Sequence, residues 1–269
     1  MLKIKGFLKS AVSAAESAGE VIMKNLGTLS RDDIHTKQAT DFVTRVDRES
    51  EQRIIDIIHR RYPDHRFLGE ESLKDSDTGG HRWIIDPLDG TTNFIHGYPV
   101  FSVSIALEYE REIILGVILD PSRNELFTAE KGHGAFLNGR QIRICSTTEM
   151  KTALITTGFP FRRRDLTDDY LKLFRTIFSR VSDIRRAGSA ALDLAYLAAG
   201  RCEGFFEIGL GPWDIAAGSI LVHEAGGIIT DFSGGTDYLL TDNIVAGNPA
   251  IHSELLKETQ NVFRNIIDR

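Results

Sequence analysis

The chain has 269 residues, enough for one large domain or two smaller ones. Hydrophobic residues at 42% and charged residues at 26% fit an ordinary soluble globular protein. A net charge of −6 argues against general nucleic-acid binding, which goes with a basic patch.

Along the chain, Ile4, Leu8, Ala11, Ala15, Ala18 and Ile22 recur at three- and four-residue steps. They predict an amphipathic surface helix. Lys9, Glu16 and Glu20 break any signal-peptide core, and no apolar stretch is long enough to span a membrane. A second helix is expected from Asp47 to Arg61, ending before Pro63. Strands are expected at Phe67-Leu68, Trp83–Ile85, Phe101–Leu107, Ile113–Leu119 and Glu125–Thr128, forming an antiparallel or mixed sheet. Asp86-Pro87 should stop the second of these, because proline cannot continue a ladder. Gly132 to Gly139 reads as turns.

From Ala153 on, strand and helix alternate. Strands are expected at Ala153–Thr157, Gly204–Ile208, Gly227–Thr230 and Ile244–Ala246. Helices are expected at Leu166–Arg180, Ala190–Ala199, Asp214–Ala225 and Ile251–Ile267. This pattern favours an α/β unit. The expected organisation is one compact unit, with an N-terminal α+β part over 1–145 and a C-terminal α/β part over 146–269. Cys145 and Cys202 make neither a disulfide framework nor a zinc spacing, so a reducing cytoplasm is the simplest setting.

The densest chemical signal is Trp83 to Pro99. Asp86 and Asp89 end an apolar run, and Gly90-Thr91-Thr92 opens a helix start whose free N–H groups favour anions. Acids for a hard cation beside donors for a phosphate are what a metal-dependent phosphatase needs. A DPLDG turn alone would not explain the Gly-Thr-Thr that follows. Glu70 and Glu71 also end an apolar run; alone they would read as surface acids. Asp47 and Asp214 each stand before a helix and read as N-caps, a role a ligand can share. Thr91 and Thr92 could be capping hydroxyls, and Glu207 a solvent-facing strand end. Arg162-Arg163-Arg164 reads as a solvated loop, with a phosphate or partner contact as the alternative. No HxxxH or HExxH spacing supports zinc chemistry.

Three blocks in order carry a resemblance: Gly69-Glu70-Glu71-Ser72, Trp83 through Phe94, and Pro212 through Gly218. Asp41–Thr44 with Asp47, and Gly188–Ala191, support them. Together they resemble the inositol monophosphatase family of magnesium-dependent, lithium-sensitive phosphatases. Thr157–Phe161, Ala198–Arg201 and Gly247–Pro249 look most like its bacterial branch.

The resemblance implies an alternating αβαβα sandwich, usually a homodimer. It implies two to three Mg²⁺ ions held by Glu70, Asp86, the Leu88 carbonyl, Asp89 and Asp214. It further implies that Asp86 bridges two ions, and that Thr91 with Asp47 and Glu70 serve catalysis by a metal-activated water attacking in line. Gly90 and Thr91 would bind phosphate; Asp89, Ala190, Glu207 and Asp214 would touch the alcohol of a small phosphorylated polyol. The loop Phe161 to Asp169 has no fixed counterpart. Fructose bisphosphate, histidinol phosphate and nucleotide 3′-phosphates are alternative substrates within the family. A haloacid-dehalogenase-type site is disfavoured, since DPLDGT has one residue more than DxDGT. A regulatory or scaffold role on the same fold is the reading from another class.

Overall fold

A computed structural model describes residues 4–38, 41–71, 79–264 and 266. Ser72 of the first block and Ile267 of the last expected helix lie outside the described residues. The helices are α1 (Ile4–Asn25), α2 (Arg45–His59), α3 (Thr91–Ile95), α4 (Thr167–Phe178), α5 (Ala190–Ala198), α6 (Pro212–Glu224) and α7 (Pro249–Phe263). The first strands are β1 (Ile34–Gln38), β2 (Asp41–Thr44), β3 (Arg66–Gly69), β4 (His81–Asp89), β5 (Ser102–Tyr109), β6 (Glu112–Asp120), β7 (Glu125–Glu130), β8 (Gly134–Leu137) and β9 (Arg140–Ile142). They are followed by β10 (Leu154–Thr157), β11 (Asp183–Arg185), β12 (Gly204–Ile208), β13 (Ile228–Thr230) and β14 (Asn243–Gly247).

Strands β3 to β9 pair in chain order as one sheet, with β3 parallel to β4 and the rest antiparallel. A second sheet has the order β11-β10-β12-β14-β13. Helices α1 and α2 cover the outer face of the first sheet, α5 and α6 lie between the sheets, and α4 and α7 cover the second. The layers therefore alternate αβαβα. The central core draws on both sides of residue 145, from Ile84 and Ile118 to Phe205 and Ile244.

Alternation along the strands builds this order. On β4 to β6, Trp83, Ile85, Val103, Ile105, Leu107, Leu115 and Val117 face α1 and α2, whereas Ile84, Ala106 and Ile118 face α5 and α6. Ala11, Ala14, Ala15, Ala18 and Ile22 bury one stripe of α1. Helix α6 is buried from Asp214 to Val222, since it meets a sheet on each side. Small residues let it approach. A Cβ at Gly116 would lie 2.6 Å from the Ala217 carbonyl, and one at Gly218 would lie 2.4 Å from Leu194.

Several expectations are corrected. Asp86-Pro87 does not end its strand. Strand β4 continues to Asp89 with a shift of register between Asp86 and Asp89, and such an irregularity accommodates a proline that donates no ladder bond. Gly132 to Gly139 holds strand β8 as well as turns, because Gly132, Gly134 and Gly139 take positive φ around a four-residue strand. The short strands β1, β2, β9 and β11 carry too little pattern to be read in advance. Helix α2 begins two residues before Asp47, and α6 two before Asp214.

Candidate active site

Parallel β3 ends at Gly69, opposite Ile85 of β4. The Glu70 N–H donates to the Ile85 carbonyl (3.2 Å), so Glu70 leaves the sheet next to Asp86. The irregularity in β4 folds Asp86 back on its own chain: Oδ1 accepts from the Leu88 N–H at 2.9 Å. Asp89 Oδ2 accepts from Ser189 Oγ at 2.6 Å and from the Ala191 N–H at 2.8 Å, which ties β4 to the start of α5. Asp214 is not the N-cap of α6. Gly211 is, Pro212 opens the helix, and Asp214 folds back so that Oδ2 accepts from the Gly211 N–H at 2.7 Å.

Asp86, Asp89 and Asp214 thus gather from β4 and α6, with ligand-capable oxygens within 4.8 Å of one another. They are 1%, 8% and 4% exposed. Each has one oxygen tethered, and the other accepts no hydrogen bond among the described residues. Burial, then the charges of Glu70, Asp89 and Asp214, push the Asp86 carboxyl well above its ordinary range. Burial and Asp214 push Asp89 up to about 7, against the bonds from Ser189 and Ala191. Like charges packed this way need a cation or protons. The donor set is hard oxygen throughout, as Mg²⁺ prefers, with one oxygen of each acid within 4.8 Å of the others. The residues therefore fit such an ion.

Asp47 is likewise corrected. Thr44 is the N-cap of α2, and buried Asp47 Oδ2 accepts from its N–H (2.9 Å) and Oγ1 (2.6 Å). The other oxygen, Oδ1, accepts from Thr91 Oγ1 at 2.8 Å; the Leu88 carbonyl lies 3.0 Å from the same hydroxyl. Gly90, with φ +95°, is the N-cap of α3. A Cβ there would stand 2.9 Å from the Val100 carbonyl, so glycine is required. The first N–H groups of α3 have no helical acceptor.

A cavity of about 230 Å³ joins these groups, lined by Glu70, Asp86, Leu88, Asp89, Gly90, Thr91, Ala190, Glu207 and Asp214. Of the expected site residues only Asp47 is not on its wall, and it acts through Thr91. Glu207 is not a solvent-facing strand end; it is 6% exposed. Burial, then Asp193 and Asp214, raise its carboxyl well above its ordinary range, with Arg186 opposing.

Two residues had escaped the sequence reading, and a third had been read otherwise. Asp193, on α5, is buried near Asp89, and burial and that charge raise its carboxyl. Gly158 packs so closely on Glu207 that a Cβ would fall 1.8 Å from Oε1. Arg162 is not in a solvated loop. Its guanidinium reaches Glu70 Oε1 (3.0 Å) and Asp214 Oδ2 (3.1 Å). Neighbouring Arg163 pairs with Asp165 and Asp242, and Arg164 is exposed. The position of Arg162, shortly after the end of β10, was the available signal.

The five-layer fold and its buried acidic cluster are what the class of metal-dependent phosphatases calls for. The profile of the inositol monophosphatase family matches residues 4–264. Nus factor SuhB of Escherichia coli (strain K12) is 47% identical over 264 residues, covering 97% of this chain and 98% of that protein. The crystal structure of extragenic suppressor protein suhB from Bartonella henselae superposes with a TM-score of 0.90 at 43% identity, covering 95% of this chain and 98% of that one. An IMPase structure from Thermotoga maritima gives 0.88 at 37%, covering 97% and 99%. The chain belongs to the inositol monophosphatase family.

Proposed function

We propose that this chain is a Mg²⁺-dependent phosphomonoesterase that hydrolyses a myo-inositol monophosphate to inositol and phosphate. The observation that carries it is the convergence of Asp86, Asp89 and Asp214 within 4.8 Å, on the wall of a cavity that Thr91 also lines. Glu70, Asp86, the Leu88 carbonyl, Asp89 and Asp214 would hold two to three ions. Bound ions would supply Lewis acidity for the phosphoryl group, the leaving alkoxide and the attacking water.

The remaining steps belong to the chain itself. Gly90 and Thr91 offer main-chain N–H groups to phosphate oxygens. Thr91 Oγ1 gives its proton to the hydrogen bond with Asp47, which leaves its lone pairs turned to a water. That water would be held for in-line attack, its proton passing to Thr91 Oγ1 as the threonine proton passes to Asp47 Oδ1. Glu70 lines the same cavity as Thr91. Asp89, Ala190, Glu207 and Asp214 line the alcohol side. A carboxyl such as Glu207, with no hydrogen bond among the described residues, suits the hydroxyls of a polyol.

Lithium sensitivity, a homodimer and a cytoplasmic setting go with this reading through the family resemblance. No helix among the described residues is long and apolar enough to cross a membrane. The proposed division near residue 145 falls between the last strand of the seven-stranded sheet and the first of the five-stranded one.

Phosphate release from myo-inositol 1-phosphate, fructose bisphosphate and histidinol phosphate, with and without Mg²⁺, tests the proposal. Inositol 1-phosphate should be the best of the three, and only with the metal. Preference for another ester would reassign the substrate.

The identity to Nus factor SuhB over nearly the whole chain favours a second role apart from hydrolysis. An Asp86→Asn protein that lacks turnover yet restores the phenotype of a strain deleted for this gene would support it. Failure to restore would leave hydrolysis as the function.

A further inference from the structure

Arg162 answers to a different demand from the residues around it. It is carried by the connection between β10 and α4, outside the three sequence blocks. Its Nη2 meets Glu70 Oε1 at 3.0 Å and its Nη1 meets Asp214 Oδ2 at 3.1 Å. Its carbon Cζ lies 4.9 Å from the centre of the Phe161 ring, and Nη1 is 3.4 Å from the Gly209 carbonyl. One cation thus bridges the end of β3 to the start of α6, on the two acids that close the cluster from outside.

Four carboxylates and one guanidinium leave a strong negative excess, so Arg162 balances the cluster only in part. It also stands where it would repel any divalent ion that Glu70 and Asp214 help to hold. A residue on a connecting loop can swing away, whereas Asp86, Asp89 and Asp214 are held by main-chain N–H groups of Leu88, Ala191 and Gly211.

We propose that Arg162 is an exchangeable resident cation: its guanidinium holds Glu70 and Asp214 until divalent ions replace it, so that loop opening lowers and sets the metal affinity of the site. This rests on the reading of those acids as metal ligands. The affinity penalty follows the fraction of molecules in the open state. A clamp closed about ten times in eleven weakens binding by about tenfold.

The test is Mn²⁺ binding to the full chain, followed by electron paramagnetic resonance of the free ion, for the native protein and Arg162→Ala, Arg162→Lys and Asp86→Asn. Arg162→Ala should tighten binding by about tenfold or more. Arg162→Lys should fall between it and the native protein, because a lysine keeps the charge and loses the fork. Arg162→Ala should also show a larger rise in Tm on adding Mn²⁺. Binding that is unchanged or weaker in Arg162→Ala, while Asp86→Asn binds poorly, would overturn the exchange and leave the metal site standing. Equal binding by Asp86→Asn and the native protein would instead overturn the metal site itself.

Discussion

Thr91 Oγ1 donates to Asp47 Oδ1 at 2.8 Å, joining α3 to the first turn of α2 across 44 positions of sequence. The other oxygen of Asp47 is committed to Thr44, so the carboxylate has one fixed orientation. This makes the pair a device for aiming a hydroxyl. Thr91→Ala should lower kcat by about 10²- to 10⁴-fold with little change in KM. A steady-state comparison checks it; a rise in KM alone would remove Thr91 from the chemistry. Asp47→Asn should lower kcat as well. It should also cost about 1–2 kcal/mol of stability, because an amide has one donor end, which must face either the Thr44 N–H or the Thr91 hydroxyl, both of which donate to the carboxylate.

Asp86→Asn should abolish turnover and leave the fold intact, as checked by circular dichroism. The physical reason predicts more. Asp86 is buried among like charges that raise its carboxyl, so the metal-free variant should have a higher Tm than the metal-free native protein. A lower Tm would mean that the acid stabilises the fold. Glu70→Gln should weaken metal use and turnover together.

Gly158 tests the alcohol side. A Cβ 1.8 Å from Glu207 Oε1 cannot be accommodated without moving the carboxylate. Gly158→Ala should raise KM for a polyol phosphate far more than it changes Mn²⁺ binding. Unchanged KM would show that Glu207 does not contact substrate.

A pH effect is expected far from the site. His65 Nδ1 accepts from Trp83 Nε1 at 3.0 Å, and its ring stacks on His81 with centroids 4.5 Å apart. Burial, then the neighbouring His81, lower it to about 4 from the usual 6.5. Between pH 6.5 and 4 the unfolded chain therefore binds a proton that the folded chain refuses. Stability falls as pH drops through that window and is unaffected by His65 above it. The fall in Tm from pH 7 to pH 4 should be smaller in His65→Gln than in the native protein. Equal slopes would contradict the assignment.

Much of this was legible in the chain. Asp86, Asp89 and Gly90-Thr91-Thr92 lie close in sequence, so their chemistry shows in a short window. The strands and helices around them follow from hydrophobic period. What was hidden depends on tertiary geometry. Pro87 reads as a stop unless the shifted register of β4 is known. Asp47 and Asp214 look like N-caps, because a carboxylate in the first turn also serves the helix start: from the third helical position it reaches back three residues to the N–H of the true cap. Arg162 looks like one of three equivalent arginines until the fold brings Glu70 and Asp214 to it. Gly158 stands in a stretch that resembles the family, but its role shows only with the side chain of Glu207 beside it.

The most direct measurement is phosphate release from myo-inositol 1-phosphate by protein stripped with a chelator, before and after graded return of Mg²⁺. Release should be absent from the stripped protein and return with added Mg²⁺. Full turnover in the presence of excess chelator would show that the acids of β3, β4 and α6 serve some other end.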